Sequence, residues 1–153
     1  MKRRAIFFGV LTALVLCFIW GQSFLPLNVS VGESRGIMSF LKPLLDPGER
    51  IDDEVFHHLV RKTAHFTEYA ALGFCMLGFL KNLAWKQNML CLPLTVAFCV
   101  AAAAIDETIQ IFSNARGPRV TDVLLDSCGA LFGIAVFLLL TALIRKTTKH
   151  PPV

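Results

Sequence analysis

Ionisable side chains set inside long apolar runs are the residues of this sequence best suited to chemistry. Lys62, His65, Glu68 and Tyr69 open one such run. Asp106, Glu107, Gln110, Arg116, Asp122 and Asp126 stand between two others, Met89–Ile105 and Val123–Leu140. A polar group in hydrocarbon is costly unless it finds a partner, and groups retained at that cost usually mark function. His65 has the chemistry of a general acid/base or nucleophile, and Asp106, Glu107 or Asp122 could orient it. Lys62 and Arg116 suit a phosphate, while Glu68, Tyr69, Gln110 and Asp126 complete a candidate ligand-binding set.

Helical spacing gathers these groups. With about 100° per residue, Lys62, His65 and Tyr69 fall within roughly 60° of one another, and Glu68 sits on their flank. Asp106 and Gln110 are one turn apart with Glu107 beside them, and Asp122 and Asp126 are likewise one turn apart. The Asp122–Asp126 stripe continues as Gly129 and Gly133, a surface that lets another helix approach closely. Both aspartates are therefore expected to point into a bundle. His57 and His58 lie about two turns earlier and are expected to face water or headgroups.

Two blander readings compete with a functional site. Paired charges of this kind can simply brace helix ends, with Lys62 and Arg116 neutralising carboxylates that would otherwise take up protons. A metal could use His65-x-x-Glu68 with the aspartates. Against it, the cluster holds a single histidine, and Lys62 and Arg116 repel cations. The sequence reading therefore assigns no metal and no cofactor.

The elements that must position these residues follow from composition. The 153 residues are 55% hydrophobic and only 17% charged, with a mean hydropathy of +0.61. That exceeds the apolar share of soluble domains and reads as one integral membrane unit. The net charge of +4 comes from scattered loop residues, which argues against a nucleic-acid partner. The five cysteines show no CxxC spacing and read as buried small hydrophobes, not as a zinc site or disulfide framework.

In chain order, Lys2, Arg3 and Arg4 precede an apolar run with no small-x-small cleavage site after it, so residues 5–22 are expected to be a first span. Residues 23–51 form an extracytoplasmic segment. Within it Ile37, Phe40, Leu41, Leu44 and Leu45 make an amphipathic stripe that predicts a short interfacial helix, with Pro43 placed to break it. Asp52-Asp53-Glu54 offers an N-cap and a negative first turn for a second span over 56–80. A third span is expected over 87–112, with Pro93 early, and a fourth over 122–144. The fold class predicted is all-α, a membrane bundle of four transmembrane helices. Four spans would put Lys2, Arg3, Arg4, Lys81, Lys86, Arg145, Lys146 and Lys149 on one side and all eleven acids on the other or at its boundary. By the positive-inside rule both termini are cytoplasmic and the polar site is extracytoplasmic.

At these residues the sequence resembles the VanZ-like family of small bacterial membrane proteins. The match is carried by RKTAHFTEY, DETIQIF, Arg116 followed six residues later by Asp122, and then Asp126 and GALFG, over Arg61–Gly133. One departure is Asp126, where asparagine is the more frequent residue. The resemblance implies a multi-span domain of the bacterial cytoplasmic membrane, in a family named for a protein giving resistance to the glycopeptide teicoplanin. It implies no established reaction. Three readings stay open: an enzyme on an envelope lipid or glycan, a binding protein for an anionic or glycopeptide ligand, and a scaffold among membrane lipids.

Overall fold

A computed structural model describes residues 2–24, 36, 39–44, 46, 48, 50–83, 88–114 and 120–149. Four long helices make up nearly all of it: α1 (Lys2–Ser23), α2 (Asp53–Leu83), α3 (Asn88–Asn114) and α4 (Val120–Lys149). No strand occurs among the described residues, as the predicted all-α class requires.

Asp52 starts α2 as the sequence suggests, its carboxylate accepting from the Glu54 N–H at 2.8 Å and its carbonyl from the Phe56 N–H at 2.8 Å. Just before it, Asp46 accepts the N–H groups of Arg50 and Ile51 at 3.1 and 2.8 Å, which closes the turn leading into the helix. Residues 39–44 are helical, and Lys42 pairs with Asp53 across this junction. Pro43 does not break the segment. Its ring removes one donor, while Ser39 Oγ–Gly36 O and Asp46 N–Lys42 O bonds, each 2.8 Å, hold the turn on either side. Ile37 and Leu45 of the expected stripe lie outside the described residues.

The most extensive contact is between α2 and α4, and glycine is the reason. A Cβ on Gly133 would collide with the Ala70 carbonyl, and one on Gly129 with that of Phe66. Gly73 answers from the other helix, with the Ala130 carbonyl in the space a Cβ would need. Such close backbone contact lets α2 and α4 associate where no hydrophobic effect operates. Around this seam, Ile19, Tyr69, Leu72, Cys99, Ala102, Ala103 and Ala130 form a core drawn from all four helices. A second core of Leu77, Cys91, Ile134 and Phe137 lies farther along, where Phe8, Phe74 and Phe137 pack with ring centroids 5.2–6.3 Å apart.

The outward faces are apolar too: Phe7, Phe18, Leu92, Leu131 and Leu139 are all exposed. That pattern suits hydrocarbon as the solvent. Three helices are long and apolar enough to cross a membrane, over Lys2–Ser23, Met89–Ser113 and Val120–Thr147. The second helix is long enough but not apolar enough, because Arg61, Lys62, His65 and Glu68 interrupt its first half. Of the four expected spans, the one over 56–80 is thus not supported by length and composition alone. The cysteines split as well: Cys75, Cys91 and Cys99 are buried, whereas Cys17 and Cys128 face outward, correcting the expectation that all were interior. Both project from helix faces that look away from the bundle.

Candidate functional site

The polar residues of α2, α3 and α4 converge at one end of the bundle. Asp106 is its centre, fully buried on α3. Its Oδ1 accepts a hydrogen bond from Ser23 Oγ at 2.6 Å and its Oδ2 one from Gln110 Nε2 at 2.9 Å. Gln110 also donates to Ser23 Oγ at 3.3 Å, and Ser113 Oγ donates to the Ser23 carbonyl at 2.5 Å. The last residue of α1 is therefore tied to α3, and Trp20 adds an Nε1–H contact to the Ala102 carbonyl at 3.4 Å. Two neutral donors hold Asp106 in place without cancelling its charge.

Across from it, His65 on α2 and Asp126 on α4 complete a triangle. One ligating atom from each of His65, Asp106 and Asp126 lies within 4.8 Å of the other two. Asp126 is only 5% exposed, and its Oδ1 has no hydrogen-bond partner among the described residues. The same holds for His65 Nδ1 and for the hydroxyl of the fully buried Tyr69. Buried polar atoms are nearly always satisfied, so three orphans in one cluster point to a partner outside the described residues. Glu68 stands one turn from His65, its Oε2 3.8 Å from Nδ1, which is too long for a hydrogen bond.

Towards the surface the chemistry turns basic. Lys62 Nζ lies 3.4 Å from Asp122 Oδ1, the two side chains being 36% and 25% exposed. A cleft runs inward from there, lined by His58, Arg61, Lys62, His65, Gln110, Asp122, Leu125 and Asp126, with an internal volume of about 20 Å³. That is room for about one water molecule or ion at its base. On the α1–α3 side of the same end, Phe24, Ile105, Thr108, Ile109, Phe112 and Ser113 border a mostly apolar hollow of about 360 Å³.

This geometry brings together most of the residues that the sequence singles out. Lys62, His65, Glu68, Tyr69, Asp106, Gln110, Asp122 and Asp126 share one region, with Glu107 half-buried and within electrostatic reach of Asp106 and Asp126. Arg116 and Arg119 lie outside the described residues. Asp122 pairs with Lys62 and acts electrostatically on His65, while Asp106 and Asp126 each bring an oxygen within 4.8 Å of an imidazole nitrogen and Glu68 Oε2 lies 3.8 Å from Nδ1. His58, expected to face water, lines the cleft, and His57 Nε2 is buried. One turn of helix separates His58 from Lys62 and brings them to the same face. Ser23 and Arg61 escaped the site reading altogether. Arg61 was visible in RKTAHFTEY, but Ser23 reaches Asp106 from 83 positions away, which no local spacing reveals.

The VanZ/LLP1 family model matches residues 8–141, from the first helix to the last. The chain belongs to that family. It is thus a VanZ/LLP1 membrane protein, with three membrane-capable helices and the paired motifs on α2, α3 and α4. No curated protein and no solved structure matches it. For this VanZ/LLP1 chain, chemical assignment rests on the site itself.

Proposed function

We propose that the protein binds the anionic head group of an envelope lipid or glycopeptide at the extracytoplasmic face of the bacterial cytoplasmic membrane. The observation that carries this reading is the graded cleft: His58, Arg61 and Lys62 at its mouth, His65, Gln110 and Asp126 at its base. Guanidinium and ammonium groups at a half-exposed rim suit a phosphate or carboxylate, forming charge-assisted bonds without full desolvation. The cleft holds no more than a water or an ion, so a head group would sit at its rim, against His58, Arg61 and Lys62. The apolar hollow beside Phe24 and Phe112 supports a lipid for the remainder.

In this reading α2 is a fourth span, both termini are cytoplasmic, and residues 39–44 lie at the membrane surface, with Phe40 and Leu44 exposed towards it. Reporter fusions at each terminus test that topology. For binding, the purified chain should retain phosphatidylglycerol over phosphatidylcholine in native mass spectrometry, and Arg61→Ala with Lys62→Ala should abolish the preference. Equal retention of both lipids by the natural chain would reject the reading. Glycopeptide (teicoplanin-type) resistance is the expected physiological readout, measured as growth of an expressing strain on the antibiotic.

Catalysis is the further step within this reading, with His65 moving a proton and Asp106, Glu107 or Asp122 orienting the reacting partners. His65→Gln decides it: an unchanged lipid and cell-wall profile beside a clear resistance phenotype would remove the chemistry and leave binding. The alternative is a brace, favoured by the Lys62–Asp122 pair and by the Ser23–Asp106–Gln110 bonds. A brace predicts that apolar replacements which keep the fold also keep the function.

A further inference from the structure

We propose that His65, Asp106 and Asp126 bind a divalent cation of the Zn²⁺ or Mn²⁺ type at the base of the cleft. The three residues come from three different helices, and their ligating atoms all lie within 4.8 Å of one another. Donors around a single ion held at about 2.0–2.4 Å are roughly 3 Å apart when adjacent and 4–5 Å apart when opposite. Only one of the three pairs can be opposite, so the others would close by up to about 1–2 Å when the ion binds. One imidazole with two carboxylates selects a borderline ion over calcium or magnesium, which prefer oxygen alone.

Two further observations point to a positive charge that the described residues do not supply. The Asp126 Oδ1 atom is buried and lacks a partner among the described residues, although Asp106, Asp122, Glu68 and Glu107 all bear on this carboxylate electrostatically. Tyr69 is not one of the ligands, yet its hydroxyl is buried, without a hydrogen-bond partner among the described residues, and within electrostatic reach of Asp106 and Asp126. A phenol there is placed to donate to a water or head-group oxygen on the ion. The cleft's volume of about 20 Å³ accommodates one such species and little else.

Two of the objections raised by sequence, Lys62 and the single histidine, are answered by geometry. Lys62 is engaged with Asp122 nearer the mouth, outside the triangle. A single histidine suffices because both aspartates arrive from other helices. Ser23 and Gln110 each occupy one lone pair on an Asp106 oxygen, which leaves the other free and fixes the carboxylate as supporting hydrogen bonds do around metal ligands. A role for the ion as a bridge to a head-group phosphate rests on the function proposed above; binding of the ion itself does not.

The test uses the full chain in detergent, stripped with chelator and titrated with Mn²⁺ under electron paramagnetic resonance. The expected result is saturable binding of about one ion per chain, nitrogen hyperfine coupling from an imidazole, and a rise in melting temperature. His65→Gln should remove the nitrogen coupling, and Asp126→Ala should weaken binding more than about tenfold. Asp53→Asn, at an exposed carboxylate on the first turn of α2, should change neither. If Asp126→Ala does not fold, the nitrogen coupling of the natural chain still decides. Absence of that coupling, or binding unaltered by His65→Gln, overturns the site and leaves protons or loop cations to neutralise the carboxylates. Intact ion binding that phosphatidylglycerol vesicles fail to perturb would uphold the site and sink the head-group reading alone.

Discussion

At one end of the bundle, Phe74 and Phe137 meet edge to face at 5.2 Å with Phe8 against both. At the other, the same two helices bring His65 towards Asp126, with Asp106 completing the triangle. Between the ends run the glycine contacts that set one helix separation for both. The aromatic end fills its space with rings that need no partner. The polar end encloses carboxylates, an imidazole and a phenol whose hydrogen-bonding capacity is only partly met. Packing explains the first end completely and the second hardly at all. A chain selected only for folding could fill both ends alike, so the asymmetry itself argues for a task at the polar end.

The widest break in this comparison should come from the seam shared by both ends. Gly133→Val forces a side chain onto the Ala70 carbonyl, and overpacking of a backbone contact has no flexible neighbour to absorb it. No monodisperse protein is expected on size-exclusion chromatography in detergent. Phe137→Ala should separate the ends: a loss of about 3–5 kcal/mol in unfolding free energy, with lipid and ion binding by the surviving folded fraction retained. A similar loss of ligand binding would show that the ends are not independent.

Asp106→Ala should cost less stability, about 1–3 kcal/mol for the Ser23 and Gln110 groups left unpaired, yet abolish ion binding. Asp126→Asn sharpens the contrast further, because it neutralises a buried carboxylate whose Oδ1 has no hydrogen-bond partner among the described residues. Thermal melting should stay level or rise, while ion affinity falls; a large drop in melting temperature would mark Asp126 as structural. Smallest of all, Lys62→Gln breaks a half-exposed pair, worth under about 1 kcal/mol. It should leave the melt nearly unchanged and reduce only the preference for anionic lipid.

Much of this was legible beforehand, for identifiable reasons. Long apolar runs, the Asp52 cap and the one-turn spacing of Asp106 with Gln110 and of Asp122 with Asp126 are local signals, and helical geometry converts them directly into faces. Gly129 and Gly133 announced a close helix contact, but not its partner. Gly73 and the Phe66 and Ala70 carbonyls became apparent only when α2 and α4 were aligned. The Ser23–Asp106 bond and the cleft position of His58 depend on the rotation and depth of whole helices. Periodicity within one helix carries no information about those quantities. The approach of Asp106 and Asp126 to His65 from two other helices is hidden from the chain for the same reason.

One consequence concerns how the protein is made. The first half of α2 carries Arg61, Lys62, His65 and Glu68, and the helix falls short of the apolar character that its three companions have. If it crosses the bilayer as proposed, its own hydrophobicity should not suffice for the insertion machinery, so α2 should wait at the translocon until later segments arrive. Its main contacts are with α4 and α1, one emerging last and the other first. Chains truncated after Leu83 should then leave α2 uninserted, and appending α3 and α4 should rescue it, as read by protease protection during synthesis.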